Sequence, residues 1–236
     1  MDESEKLSEE KLLEEIKGFH QKLLDNLPTK VACKPVTVPY KKRIPFKAYL
    51  AKTASIYRTV EITGIAIDLF EKKKLLPAYI LTRCVTETAA LLFSMYKRLE
   101  QVVETCELDD IDSFLNKTTI GGRSNLIPKA PDGNVIEANN ILTAIDKLDK
   151  EYKNIRQEYE FICEFAHPNF LGNLGSYGQL NKENNYYCFS FDAPYKTLPE
   201  PAAYGLTTLS VALLIFTDYY KKMEDILPLF TKICEK

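Results

Sequence analysis

The sequence predicts an all-α protein: an antiparallel helical bundle carrying a small β-hairpin insertion. Three observations lead there. Apolar residues recur three and four apart over several long segments, the spacing that gathers them on one helix face. Two of these segments are joined only by Lys74 to Pro77, which makes them antiparallel neighbours. Another segment, Pro201 to Thr217, runs seventeen residues without a charge, as expected of a helix buried on all sides at the centre of a bundle.

Taken in order, Leu7, Leu12, Leu13, Ile16, Phe19, Leu23 and Leu24 repeat at helical spacing between Glu and Lys, so residues 4 to 26 form an amphipathic helix that Pro28 ends. From Leu27 to Phe46, Pro28, Pro35, Pro39 and Pro45 and the run Val36-Thr37-Val38 predict an extended connector. It is basic, with Lys30, Lys34, Lys41, Lys42 and Arg43 and no acidic residue, and reads as a solvated strap. The two long helices follow, over about Ala48 to Lys73 and Leu76 to Glu104. Asp109 to Asn116 is a short helix, and a loop covers 118–138. Helix resumes near Ala138 and continues, with a bend, to Ala166. Residues 175–193 hold the expected hairpin, since Asn185-Tyr-Tyr-Cys-Phe-Ser-Phe191 is rich in residues favoured in sheets. The uncharged helix and a last helix near Ile226 to Cys234 close the chain. The domain division expected is 1–45 for the first helix and connector, and 46–236 for the bundle.

Composition limits function. A chain of 236 residues with 45% hydrophobic content can bury a substantial core. A net charge of -2 gives no global attraction to nucleic acid or to an anionic membrane, so any basic patch is local. Six cysteines without a CxxC pair, and an acidic start in place of a secretion signal, point to a cytoplasmic protein with reduced thiols. The uncharged stretch falls short of the roughly 20 apolar residues of a membrane span. It also contains Gly205, Thr207, Thr208 and Ser210 and stops at Asp218. No membrane contact is expected.

The least replaceable chemistry lies between Phe161 and Gly175. A helical pattern runs into His167, Pro168 stops it, and Asn169, Gly172, Asn173 and Gly175 shape the exit. The imidazole is thus held where a helix ends and a tight loop begins. It serves either as a helix-end cap or as a general acid or base, with Arg83 or Arg123 as an anion stabiliser and Glu87 or Glu164 as an orienting carboxylate. Arg156, Glu160, Cys163 and His167 share a stripe, but Arg156 lies eleven residues from His167, about 16 Å along a helix. On the second long helix, Arg83 and Glu87 stand one turn apart among apolar residues and need partners. Gly121-Gly122-Arg123-Ser124 is a weak anion cradle that lacks the rest of a phosphate-binding loop. With only His20 and His167, and no paired Glu-x-x-His, neither a metal nor a cofactor is expected.

Arg83-x-x-x-Glu87 on one of two long antiparallel helices, followed by a helix ending Glu164-Phe-Ala-His-Pro-Asn169, resembles the HEPN-like group of bacterial helical bundles over about residues 46 to 220. The resemblance implies an all-α bundle that often dimerises and is frequently encoded near toxin or phage-defence systems. In active members it implies a metal-independent ribonuclease using an Arg and a His. Carried to this chain, it makes His167 the acid or base and Arg83 the phosphate binder, with a nucleotide or RNA and a second copy as partners. The function expected is binding of an anionic ligand or nucleic acid by Arg83, Glu87, Glu164, His167 and Asn169, with Arg123 and Arg156 as further anion contacts. A divergent endoribonuclease is the alternative. A dimeric interaction module needing none of these side chains is the third reading.

Overall fold

A computed structural model describes residues 3–32, 35, 37–122, 134–191 and 201–236, with side chains from Glu9 onward. Among them the fold is an all-α bundle with one two-stranded hairpin, as the sequence predicts. The helices are α1 (Glu3–Asp25), α2 (Ile44–Glu71), α3 (Leu75–Thr105), α4 (Ile111–Thr119), α5 (Ile141–Glu151), α6 (Ile155–Ala166), α7 (Leu174–Tyr177) and α8 (Pro201–Glu235). β1 (Gly178–Asn181) pairs antiparallel with β2 (Tyr186–Phe189), Gly178 opposite Phe189 and Asn181 opposite Tyr186. The Asn181 side-chain carbonyl accepts the Glu183 and Asn184 amides, which closes the turn.

Three boundaries differ from expectation. The connector is not extended as far as Phe46: a 3-10 turn covers Tyr40–Arg43 and α2 starts at Ile44. Pro45 then falls in the first helical turn, where its missing N–H has no partner to lose. The helix drawn from Ala138 to Ala166 is two helices, because Asn154 takes a left-handed conformation at φ 75° between α5 and α6. The last two helices are one, α8, with Pro228 inside it; no glycine or turn sequence separates Thr217 from Ile226. Arg123, Ser124 and the turn at 131–133 lie outside the described residues.

The chain forms two compact units. The first comprises 1–25, 59–86 and 152–214. Its centre is Tyr79, Ile162 and Phe165. The Tyr79 and Phe165 rings stack at 4.4 Å, Phe161 meets both Phe165 and Tyr204 edge-on, and the Tyr79 hydroxyl donates to the Pro201 carbonyl. Gly205 lets α8 pass close to this cluster, since a Cβ there would lie 2.9 Å from the Phe70 ring. α1 is fastened to the same unit along its length. Glu9 pairs with Lys73, Lys17 with Glu71, and His20 Nε2 donates to the Val60 carbonyl at 3.0 Å. That last bond fills the space beside Gly64, where a Cβ would stand 3.2 Å from the imidazole.

The second unit comprises 26–58, 87–151 and 215–236. Phe93 and Tyr96 pack edge-on against Tyr219, and Leu99, Ile111, Leu115, Ile145 and Leu148 are buried. α3 and α8 are long and apolar enough to cross a membrane by length and composition alone. Of their most apolar windows, however, 50% and 61% are buried inside the protein, which is also how core helices of a bundle behave.

Candidate functional site

The residues singled out in the sequence lie in several separate settings. Tyr79 on α3 stacks on Phe165 of α6, and Arg83, one turn along α3, places its guanidinium carbon 5.7 Å from the centroid of buried Tyr159. As α3 advances α6 recedes, so the two helices run antiparallel and Arg83 lies level with Tyr159. His167 is eight residues beyond Tyr159, about 12 Å along the helix. The expected convergence of Arg83 and His167 does not occur. The Arg83 cation lies against the Tyr159 ring instead. Glu87 is half-buried one turn further along α3, in the second unit.

His167 itself is exposed. Its backbone is extended at φ -92° and ψ 147° where α6 stops, and its amide closes the helix on the Cys163 carbonyl. Glu164 and Asn169 do come together: the Asn169 amide group donates to the Glu164 carboxylate, and its carbonyl accepts the Gly172 amide at 3.0 Å. Gly172 is required there, since a Cβ would lie 1.8 Å from the His167 carbonyl oxygen. This is a knot that closes a helix end. Arg156 donates to Glu160 one turn along α6 at 2.7 Å. Arg123 is outside the described residues. Among those that are described, no group of three or more His, Cys, Asp or Glu side chains is placed to hold a metal ion.

Sequence reasoning missed a cavity of about 540 Å³ within the second unit. One wall is a stripe of α2: Phe46, Lys47, Leu50, Ala51, Ala54, Ser55 and Arg58. α3 adds Thr88, Leu91, Leu92 and Met95, and α4 adds Asn116, Thr118, Thr119 and Ile120. The space exists because Ala51, Ala54 and Ser55 are small where larger side chains would close the gap between helices. They fall at the i, i+3, i+4 positions of a helix, and Arg58 continues that series at i+7, a pattern legible in the sequence.

The two ends of the cavity differ in charge. At one end Lys47 Nζ lies 2.5 Å from Asp112 and 3.1 Å from the Tyr40 hydroxyl, and Asp112 also accepts from Tyr40 and Asn116. Lys47 is thereby neutralised. At the other end Arg58 is exposed, its Nε donates to the Thr88 hydroxyl at 3.2 Å, and it forms no ion pair with a described residue.

A smaller hollow of about 260 Å³ in the same unit is bordered by Tyr96, Glu100, Lys222 and Asp225. Burial, reinforced by a hydrogen bond to Glu100, pushes the Tyr96 phenol up to about 12. Burial works against the Glu100 charge, yet hydrogen bonds from Lys97 and Tyr96 hold its carboxyl below the usual carboxylate range. Within the hollow the Tyr96 hydroxyl donates to Glu100 at 2.9 Å, while Lys222 pairs with Asp218 one turn away on α8. Comparison with protein-family models, curated proteins and solved structures finds no match to this chain.

Proposed function

We propose that this protein binds a small, largely apolar molecule in the cavity bounded by α2, α3 and α4. One observation carries the reading: about 540 Å³ of space whose surface is mostly apolar, from Leu, Ala, Met, Phe and Ile side chains, with Lys47, Ser55, Arg58, Asn116 and three threonines also lining it. Ligand pockets generally measure about 300–1,000 Å³ and share this make-up. It keeps the expectation of a ligand-binding helical bundle and moves the site from Arg83 and His167 to Arg58. The nucleic-acid role implied by the HEPN-like resemblance has less to support it. Arg83, the phosphate binder that reading needs, lies against Tyr159, about two turns of α6 from His167.

The test is saturation binding of Nile red, a neutral apolar dye, to wild type and to Ala54→Trp. Ala54 is exposed at the cavity margin, so the indole fills the space without entering the core. Saturable binding at one site per chain that Ala54→Trp abolishes and His167→Ala leaves intact supports the reading. Absence of saturable binding, or an unaffected Ala54→Trp, overturns it.

A further inference from the structure

We infer that the molecule held in this cavity is an unbranched aliphatic chain of about twelve carbons ending in a carboxylate, its head on Arg58 and its tail directed toward Phe46. The inference rests on the binding role just proposed and adds the ligand's chemical class.

A census of the polar groups lining the cavity supplies the first argument. The Thr118 and Thr119 hydroxyls donate to the Phe114 and Leu115 carbonyls of their own helix. Ser55 donates to the Lys52 carbonyl at 2.7 Å, the Asn116 amide donates to Asp112, and Lys47 is paired with Asp112. Each of these groups already has its partner, so a ligand with several polar groups along its body would bury them unmatched, at a cost comparable to losing a hydrogen bond for each. Arg58 stands apart. Thr88 takes its Nε, and its two terminal nitrogens have no bond to any other described residue. A guanidinium offering two parallel N–H groups matches a carboxylate. The ligand therefore has one anionic head and an otherwise apolar body.

Shape supplies the second argument. Arg58 and Lys47 mark opposite ends of the α2 stripe and are eleven residues apart, about 16 Å at helical rise, the length of an extended chain of about twelve carbons. Because Asp112 neutralises Lys47, only the Arg58 end attracts an anion, and the direction of the chain is fixed.

Calorimetric titration, below the concentrations at which micelles form, compares three twelve-carbon probes on wild type and Arg58→Gln: dodecanoate, dodecanol and dodecyltrimethylammonium. The expected result is dodecanoate binding to wild type at least about tenfold more tightly than either of the others, in line with a charge-assisted hydrogen bond. Arg58→Gln should remove that advantage and leave dodecanol unchanged. Arg58 is exposed, so the substitution leaves the core intact, and an unchanged unfolding midpoint verifies it. Equal binding of the three probes, retention of the dodecanoate preference in Arg58→Gln, or no binding of any chain overturns the inference. The Nile red experiment reports separately on whether the cavity binds at all, so the two failures are distinguishable.

Discussion

The Arg83 guanidinium carbon lies 5.7 Å from the ring centroid of Tyr159, on the helix that ends at His167 but two turns short of it. That contact makes Arg83 a clasp between α3 and α6. Arg83→Ala should therefore lower stability by about 1–2 kcal/mol through the lost cation–π contact and the packing of the arginine stem. His167→Ala, at an exposed helix end, should stay within about 0.5 kcal/mol. Urea unfolding of both variants measures this, and the reverse order would contradict the placement. Mixed RNA incubated with wild type should remain uncut; cleavage that His167→Ala abolishes would restore the ribonuclease reading.

Gly205 sets a second expectation. Its substitution by alanine places a Cβ 2.9 Å from the Phe70 ring and 3.1 Å from the Tyr79 ring. Overpacking of this kind costs about 1–3 kcal/mol, while helix propensity returns up to about 1 kcal/mol. Gly205→Ala should be destabilising by about 1 kcal/mol in thermal or chemical denaturation, and a stabilised variant would show that the aromatic cluster gives way freely.

The bundle and the hairpin were legible because each is written locally. Periods of three and four residues mark the helices, and Asn185 to Phe191 carries sheet-favouring side chains bounded by turn residues. The site was less legible. Arg83 and His167 both looked functional, but whether they meet depends on the register of α3 against α6, which Tyr79 and Phe165 set across a separation of 86 residues. Nothing local encodes that register. The cavity arises from what is missing, side-chain volume at Ala51, Ala54 and Ser55; their spacing is visible in the sequence, but not that α3 and α4 leave the space beside them open. Continuity of α8 was hidden for a different reason: the charged run from Asp218 to Asp225 reads as the end of the apolar helix, yet it continues as an exposed helical face through Pro228.

The Lys47–Asp112 pair should be structural. Their side chains retain only 20% and 24% of their exposure, so removing one partner leaves a charge short of both water and a counter-ion. Asp112→Ala should cost about 1–3 kcal/mol. The double variant Lys47→Met with Asp112→Ala should recover much of the loss, since no unpaired charge remains. Denaturant unfolding of the two single variants and the double variant gives the coupling; additive losses would mean that the pair contributes little.

Stability should fall at both extremes of pH. Burial pushes Tyr96 and Tyr220 from 10.0 up to about 12, helped by Glu100 and Glu224 respectively. Above pH 10 the unfolded chain gives up phenolic protons that the folded chain keeps, so stability declines between about pH 10 and 12. Glu100 works in the opposite range. Because its folded carboxyl is held below its ordinary value of 4.5, its contribution is present above that value and is lost as pH falls through the folded one. Unfolding midpoints across pH should trace both limbs. Tyr96→Phe should make the alkaline limb shallower and Glu100→Gln the acid limb. Limbs unchanged in both variants would assign the pH dependence to other groups.

The location of the ligand is decided most directly by titrating methyl-labelled protein with dodecanoate and following leucine and methionine signals by nuclear magnetic resonance. If the cavity is the binding site, saturable shifts concentrate at Leu50, Leu91, Leu92 and Met95, while Leu76 and Leu171, which pack against the Tyr79 cluster of the other unit, stay still. Shifts confined to Leu76 and Leu171, or no saturable shift at the four cavity residues, would contradict it.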